Sequence, residues 1–89
     1  MDVFAALAVP TRRSIIEMLA SHGELSVTDI ADRFRLTTPA VSQHLKILRE
    51  AKLVRVEKRA QQRMYQLNPE ALRDFEAWLK QMNRMWLDR

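Results

Sequence analysis

The sequence predicts a mainly α fold of about five helices with one small β-hairpin, and three observations predict it. Residues 37 to 54 read as an amphipathic helix whose outer face is short, polar and mostly basic. A second helical pattern ends only about three residues before that helix begins, and two runs alternating apolar and polar residues follow it. With 89 residues the chain makes one domain, near the size where a single apolar core gives only marginal stability. A partner subunit often supplies the remainder, so a homodimer is the expectation from size.

The first element is a short helix capped by Asp2. It carries Phe4, Leu7 and Ala8 and ends before Pro10, because a residue preceding proline is pushed out of the α region. Thr11 is expected to cap the second helix, in which Ile15, Ile16 and Leu19 form the buried stripe. His22-Gly23 stops it, glycine being free to take a positive φ. Arg12 and Arg13 oppose the dipole of that first turn, so they either pair with a carboxylate such as Glu17 or reach outward to a phosphate.

Glu24-Leu25-Ser26 reads as an extended link. Ser26 and Asp29 then give a capping-box-like start to a third helix, with Ile30, Ala31 and Phe34 inside and a stop near Arg35-Leu36. The fourth helix opens with Thr37 or Thr38 as cap and Pro39 in its first turn. Val41, Leu45 and Leu48 recur at helical spacing and point inward. On the far side lie Pro39, Gln43, Lys46 and Glu50, flanked by Ser42 and Arg49. A helix meant only for solvent carries long Glu and Lys side chains, whereas Thr38, Ser42 and Gln43 are compact groups able to reach base edges. Two helices joined this tightly, the second polar and basic outside, make a helix-turn-helix.

Leu53 to Lys58 and Arg63 to Leu67 alternate as the two strands of a hairpin. The intervening turn contains no glycine, which predicts a loop of four residues or longer. Its tip, with Lys58, Arg59, Gln61, Gln62 and Arg63, has little packing purpose and suits phosphate or minor-groove contact. Asn68-Pro69-Glu70 opens the last helix with a cap, a first-turn proline and a favourably placed acid. Leu72, Phe75, Leu79, Met82 and Trp86 form a seam at spacings of three and four, overlapped by a second stripe through Ala71, Trp78 and Met85. So broad an apolar surface needs cover. A helix–helix dimer, with Phe4 and Leu7 of the first helix contributing, is the simplest cover, and a tucked core helix is the alternative. Helix, helix, helix-turn-helix, hairpin and helix in this order make a winged helix-turn-helix.

The formal charge is +4 and its distribution is uneven. Lys46, Arg49, Lys52, Arg55, Lys58, Arg59 and Arg63 are opposed in their stretch only by Glu50 and Glu57, while the first 36 residues are nearly balanced. An anionic partner such as nucleic acid fits that stretch. The chain contains no cysteine, which excludes disulfides, thiolate ligands and cysteine nucleophiles, and its single glycine excludes a glycine-rich phosphate loop. No apolar run approaches a membrane span and no signal peptide is read at the start, so a cytoplasmic location is expected. No paired carboxylates or nucleophile–base set point to an enzyme, and no cofactor is expected.

The stretches Ala8-Val9-Pro10-Thr11-Arg12-Arg13, Glu24 to Ala31, Ser42-Gln43-His44-Leu45-Lys46-Ile47-Leu48 and Tyr65-Gln66-Leu67 together resemble the ArsR/SmtB family of bacterial transcriptional repressors. The resemblance spans nearly the whole chain. It implies that the helix matching Thr38 to Ala51 enters the major groove of double-stranded operator DNA, and that the hairpin matching Lys58 to Arg63 is the wing. It implicates Thr38, Pro39, Ser42 and Gln43 as groove-facing with His44 beside them, and Lys46, Arg49, Arg59 and Arg63 as phosphate contacts. Pro39 and Ala40 depart from the more polar occupants of relatives, which leaves direct base reading to fewer residues. Metal-sensing relatives place cysteines where this chain has Ser26 and Thr28, and others use histidine and acid ligands on the last helix, where no histidine follows His44. The resemblance is therefore to the small branch without metal-site residues. The function expected is a dimeric repressor on a roughly palindromic site. The alternative is a winged-helix module that binds protein or RNA without an operator.

Overall fold

A computed structural model describes residues 2–89. Five helices and three strands follow one another: α1 (Val3–Leu7), α2 (Pro10–His22), β1 (Leu25–Ser26), α3 (Val27–Phe34), α4 (Thr38–Glu50), β2 (Val54–Arg59), β3 (Gln62–Leu67) and α5 (Pro69–Leu87). The expected fold class holds, with one addition. The extended link at Leu25–Ser26 is a third strand, antiparallel to β3, so the sheet order is β1-β3-β2. Two residues are too few to show a period of two, which is why the sequence did not mark them as a strand.

Local chemistry explains most helix ends. The Asp2 carboxylate accepts the Phe4 N–H at 3.1 Å and starts α1. Ser26 and Asp29 close a full capping box at the start of α3. Thr37, rather than Thr38, caps α4, its hydroxyl accepting the Ala40 N–H at 3.2 Å. Gly23 (φ 87°) terminates α2, and Arg35 (φ 56°) takes the left-handed conformation that ends α3. In α2 the structure overturns the expected Thr11 cap. Pro10 occupies the first helical turn, and Val9 precedes it with no side-chain cap bond, so Thr11 lies inside the helix.

Arg12 and Arg13 follow neither expectation. Arg12 donates from Nε to the Ala6 carbonyl at 2.6 Å and from Nη2 to the Ala5 carbonyl at 3.3 Å, and Arg13 donates to the Leu7 carbonyl at 2.6 Å. The Ala6 and Leu7 carbonyls are unpaired acceptors at the C-terminal end of α1, and the Ala5 carbonyl also accepts the Ala8 N–H at 3.2 Å. The cations that oppose the dipole of α2 therefore complement that of α1 and strap the short helix to its neighbour.

The core gathers Ile15 and Leu19 of α2, Ile30 of α3, Val41, Leu45 and Leu48 of α4, and Leu53, Val54 and Tyr65 around the sheet. Truncating one of the fully buried leucines to alanine would cost about 2–5 kcal/mol, a large fraction of the stability of a domain this small. The inward stripe of α4 thus fixes which of its faces is left outside. Helix α5 has no buried residue; only Ala71 and Leu72, near its start, pack against the core. Asn68 anchors it there, donating from Nδ2 to the Lys52 carbonyl at 2.9 Å and from its backbone N–H to the Leu53 carbonyl at 2.9 Å. Phe75 and Trp78 still reach Phe4 of α1, and the long axis of the molecule measures 52 Å against 23 Å across.

Candidate nucleic-acid interface

On α4 the outward residues Thr38, Pro39, Ser42, Gln43, Lys46 and Arg49 are all exposed. None of their side chains makes a hydrogen bond or ion pair among the described residues. They are rigidly placed, since Val41, Leu45 and Leu48 on the other side are wholly buried. His44 stands apart from that row: it is half-buried, with Nδ1 enclosed and lacking a partner. The structure brings the outward row together on one ridge and leaves His44 at its edge.

The hairpin is tighter than expected. Arg59 pairs with Gln62, so only Ala60 and Gln61 connect the strands, and the prediction of a loop of four or more residues is overturned. Glycine's usual role is filled by Ala60, which takes φ 53°. An l-residue pays about 1–2 kcal/mol for this left-handed conformation, and the six paired positions of the hairpin hold it there.

Alternation along the strands divides the wing into two unlike faces. The paired Val54–Leu67 and Val56–Tyr65 face the core, and the pair Lys58–Arg63 continues that row beyond it. Two like charges directly opposite each other are destabilising, and neither has an ion-pair partner among the described residues. On the other face, Arg59 is held by two carboxylates: it donates to Glu24 and, at 3.0 Å, to Glu57. Gln66 closes the cluster, donating to Glu24 at 2.9 Å and Glu57 at 3.3 Å while accepting from Arg55 at 3.1 Å. Glu24 consequently holds its carboxyl below the usual range, first through Gln66 and then through Arg59. Sequence spacing could not reveal this cluster, because Glu24 joins it only through the pairing of β1 with β3. Gln61 and Gln62 are exposed at the tip.

The apolar residues assigned to a subunit contact divide as well. Leu7 and Leu72 rest half-buried against the core. Phe4, Leu79 and Trp86 are open, at 48%, 43% and 68% exposure, and Trp78, Met85 and Leu87 are exposed beside them. Phe4 meets Trp78 edge-on with ring centroids 5.0 Å apart and Phe75 at 5.6 Å, so α1 and α5 share one apolar surface. No helix of the described residues is long and apolar enough to cross a membrane.

A helix-turn-helix with a basic wing now has a sequence counterpart: residues 9–56 match the family described as bacterial regulatory protein, arsR family. The chain belongs to the ArsR family. This ArsR chain is 36% identical over 78 residues to the transcriptional repressor SdpR of Bacillus subtilis, covering 88% of the chain and 86% of SdpR. It is 44% identical over 81 residues to the HTH-type transcriptional regulator Rv2034 of Mycobacterium tuberculosis, covering 91% of the chain and 72% of that protein. A crystal structure of an ArsR family transcriptional regulator superposes with a TM-score of 0.84 at 31% identity, covering 97% of this chain and 88% of the other. Further relatives span different chemistries and assemblies. The arsenic resistance regulator ArsR1 of Pseudomonas putida is 35% identical, covering 96% of the chain and 69% of ArsR1. A homodimeric winged helix-turn-helix DNA-binding domain from Mycobacterium bovis has a TM-score of 0.73 at 25% identity, covering 89% of this chain and 73% of that one. These relatives are transcriptional regulators and not enzymes.

Proposed function

We propose that the chain is a single-domain, homodimeric repressor or autorepressor that binds a roughly palindromic operator in the cytoplasm and does not respond to metal. The ridge of α4 carries this reading: six exposed polar, basic or small side chains with no protein partner, set on a helix whose other face is locked in the core. Gln43 is able to read adenine bidentately and Ser42 is a permissive contact, while Thr38 and Pro39 bring the helix start close to the bases. Lys46 and Arg49 sit further along the helix, where they meet phosphates that position the protein without specifying sequence. Lys58 and Arg63, with Gln61 and Gln62 at the tip, extend the same contact onto the flanking backbone.

Dimerisation is supported by the open apolar surface of α1 and α5 and by the homodimeric relative. Two copies of α4 then reach successive major grooves, about 34 Å apart. Insensitivity to metal is supported by Ser26, whose hydroxyl is already engaged as the cap of α3, and by the absence of thiolates. Selection from a randomised duplex pool at two salt concentrations tests the reading. An enriched palindrome is the expected result. Binding without enrichment, collapsing with salt, would instead make the basic face a nonspecific surface and favour a protein- or RNA-interaction module.

A further inference from the structure

The wing carries more cations than it presents. Arg59 lies at the very tip, nearer the turn than Lys58, yet its guanidinium is turned onto the sheet face that holds Glu24, Glu57 and Gln66. The four side chains form a closed ring joining β2, β3 and the link before β1: Arg59 to Glu24, Glu24 to Gln66, Gln66 to Glu57 and Glu57 back to Arg59. Arg55 joins through Gln66. Two arginines and two carboxylates make that face neutral overall, while the opposite face carries the unneutralised Lys58–Arg63 pair. As structural cement the ring is weak, because exposed ion pairs contribute little to stability. Its effect falls instead on what the wing offers to a polyanion. A guanidinium held by two carboxylates releases no counterions from DNA, and the carboxylates repel the backbone beside it.

We propose that Glu24 and Glu57 act as a brake on DNA binding, holding Arg59 away from the phosphates so that the wing contributes only Lys58 and Arg63. The inference rests on the DNA-binding reading above. Glu24 is the decisive member because it lies outside the hairpin, in the link between α2 and β1, and ties the wing to the body of the domain. The brake moderates affinity for all sequences alike, which leaves discrimination to α4. A repressor that must leave its operator gains from such moderation, since nonspecific attraction grows with every phosphate contact.

The test is the salt dependence of binding to a nonspecific duplex, measured for the full chain and four variants. Each phosphate contact adds about 0.9 to the slope of log affinity against log salt, or roughly a threefold steeper loss between 50 and 200 mM. E24Q/E57Q should steepen the slope by that amount and tighten binding at low salt. R59Q alone should keep the wild-type slope, whereas R63Q should lower it. The triple variant E24Q/E57Q/R59Q should return the slope to the wild-type value, separating release of Arg59 from a general loss of negative charge. A slope reduced in R59Q as far as in R63Q would overturn the brake, as would an unchanged slope in E24Q/E57Q. If the wild-type chain bound no duplex, the DNA-binding reading would fall and the brake with it; wild-type binding with an unmoved double variant overturns the brake alone.

Discussion

Gln43 shows how burial assigns work to a single side chain. It sits one helical turn before Lys46 on the outward ridge, exposed and unpartnered, and the adjoining positions Pro39 and Ala40 have no side-chain donors or acceptors. A carboxamide has a donor and an acceptor and can satisfy both on adenine, whereas an ammonium is a point charge that any phosphate satisfies. Gln43→Ala should therefore relax preference at one base position by about 1–3 kcal/mol and leave the salt slope unchanged. Lys46→Ala should weaken all sequences similarly and shallow the slope by about 0.9. Binding isotherms on the selected operator and on its single-base variants separate the two. Uniform loss in both mutants would show that the ridge positions the protein but does not read sequence.

At the scale of the element, the hairpin turn marks where local rules and tertiary pairing part. Ala60 adopts φ 53° because the register from Val54–Leu67 to Arg59–Gln62 leaves only two residues to reverse the chain. Relieving that conformation with glycine recovers about 1–2 kcal/mol, against which the freer unfolded chain costs about 0.4–1 kcal/mol. Ala60→Gly should thus stabilise the domain by up to about 1.6 kcal/mol, the difference of those two terms, read as a higher urea midpoint with an unchanged m-value. A lower midpoint would mean that alanine is preferred at the tip. The same contrast explains what the sequence made legible. The starts of α1, α3 and α4 were readable because Asp2, Ser26 and Thr37 cap backbone groups two or three residues away. The ridge of α4 was readable because its apolar stripe has a period. The strand β1, the short turn, the straps from Arg12 and Arg13 and the ring around Arg59 were not. Each depends on a partner brought from another element, and no spacing within one element encodes it.

The whole molecule poses a question of cover and of distance together. Helix α5 buries none of its residues, and Trp86, more than two-thirds exposed, lies far along it beyond the anchor at Asn68. A monomer would leave this arc in water, continuous with Phe4 through the aromatic contacts to Phe75 and Trp78. The tucked-helix alternative does not describe this chain, since the helix projects beyond the body instead of folding onto it. Pairing α1 and α5 with a second copy would cover the arc and also set two α4 ridges at a fixed separation, so assembly and operator spacing become one problem. Leu79→Glu with Met82→Glu places two charges in that surface without touching the core, the α4 ridge or the wing. The double variant should sediment as a monomer and keep its affinity for a single half-site. On the full palindrome it should lose about 10²–10⁴-fold, because the second half-site no longer benefits from the high effective concentration that the dimer provides. A double variant that still sediments as a dimer would move the contact off the middle of α5. Phe4 would then be the next residue to charge, since it is the exposed aromatic through which α1 reaches the same surface.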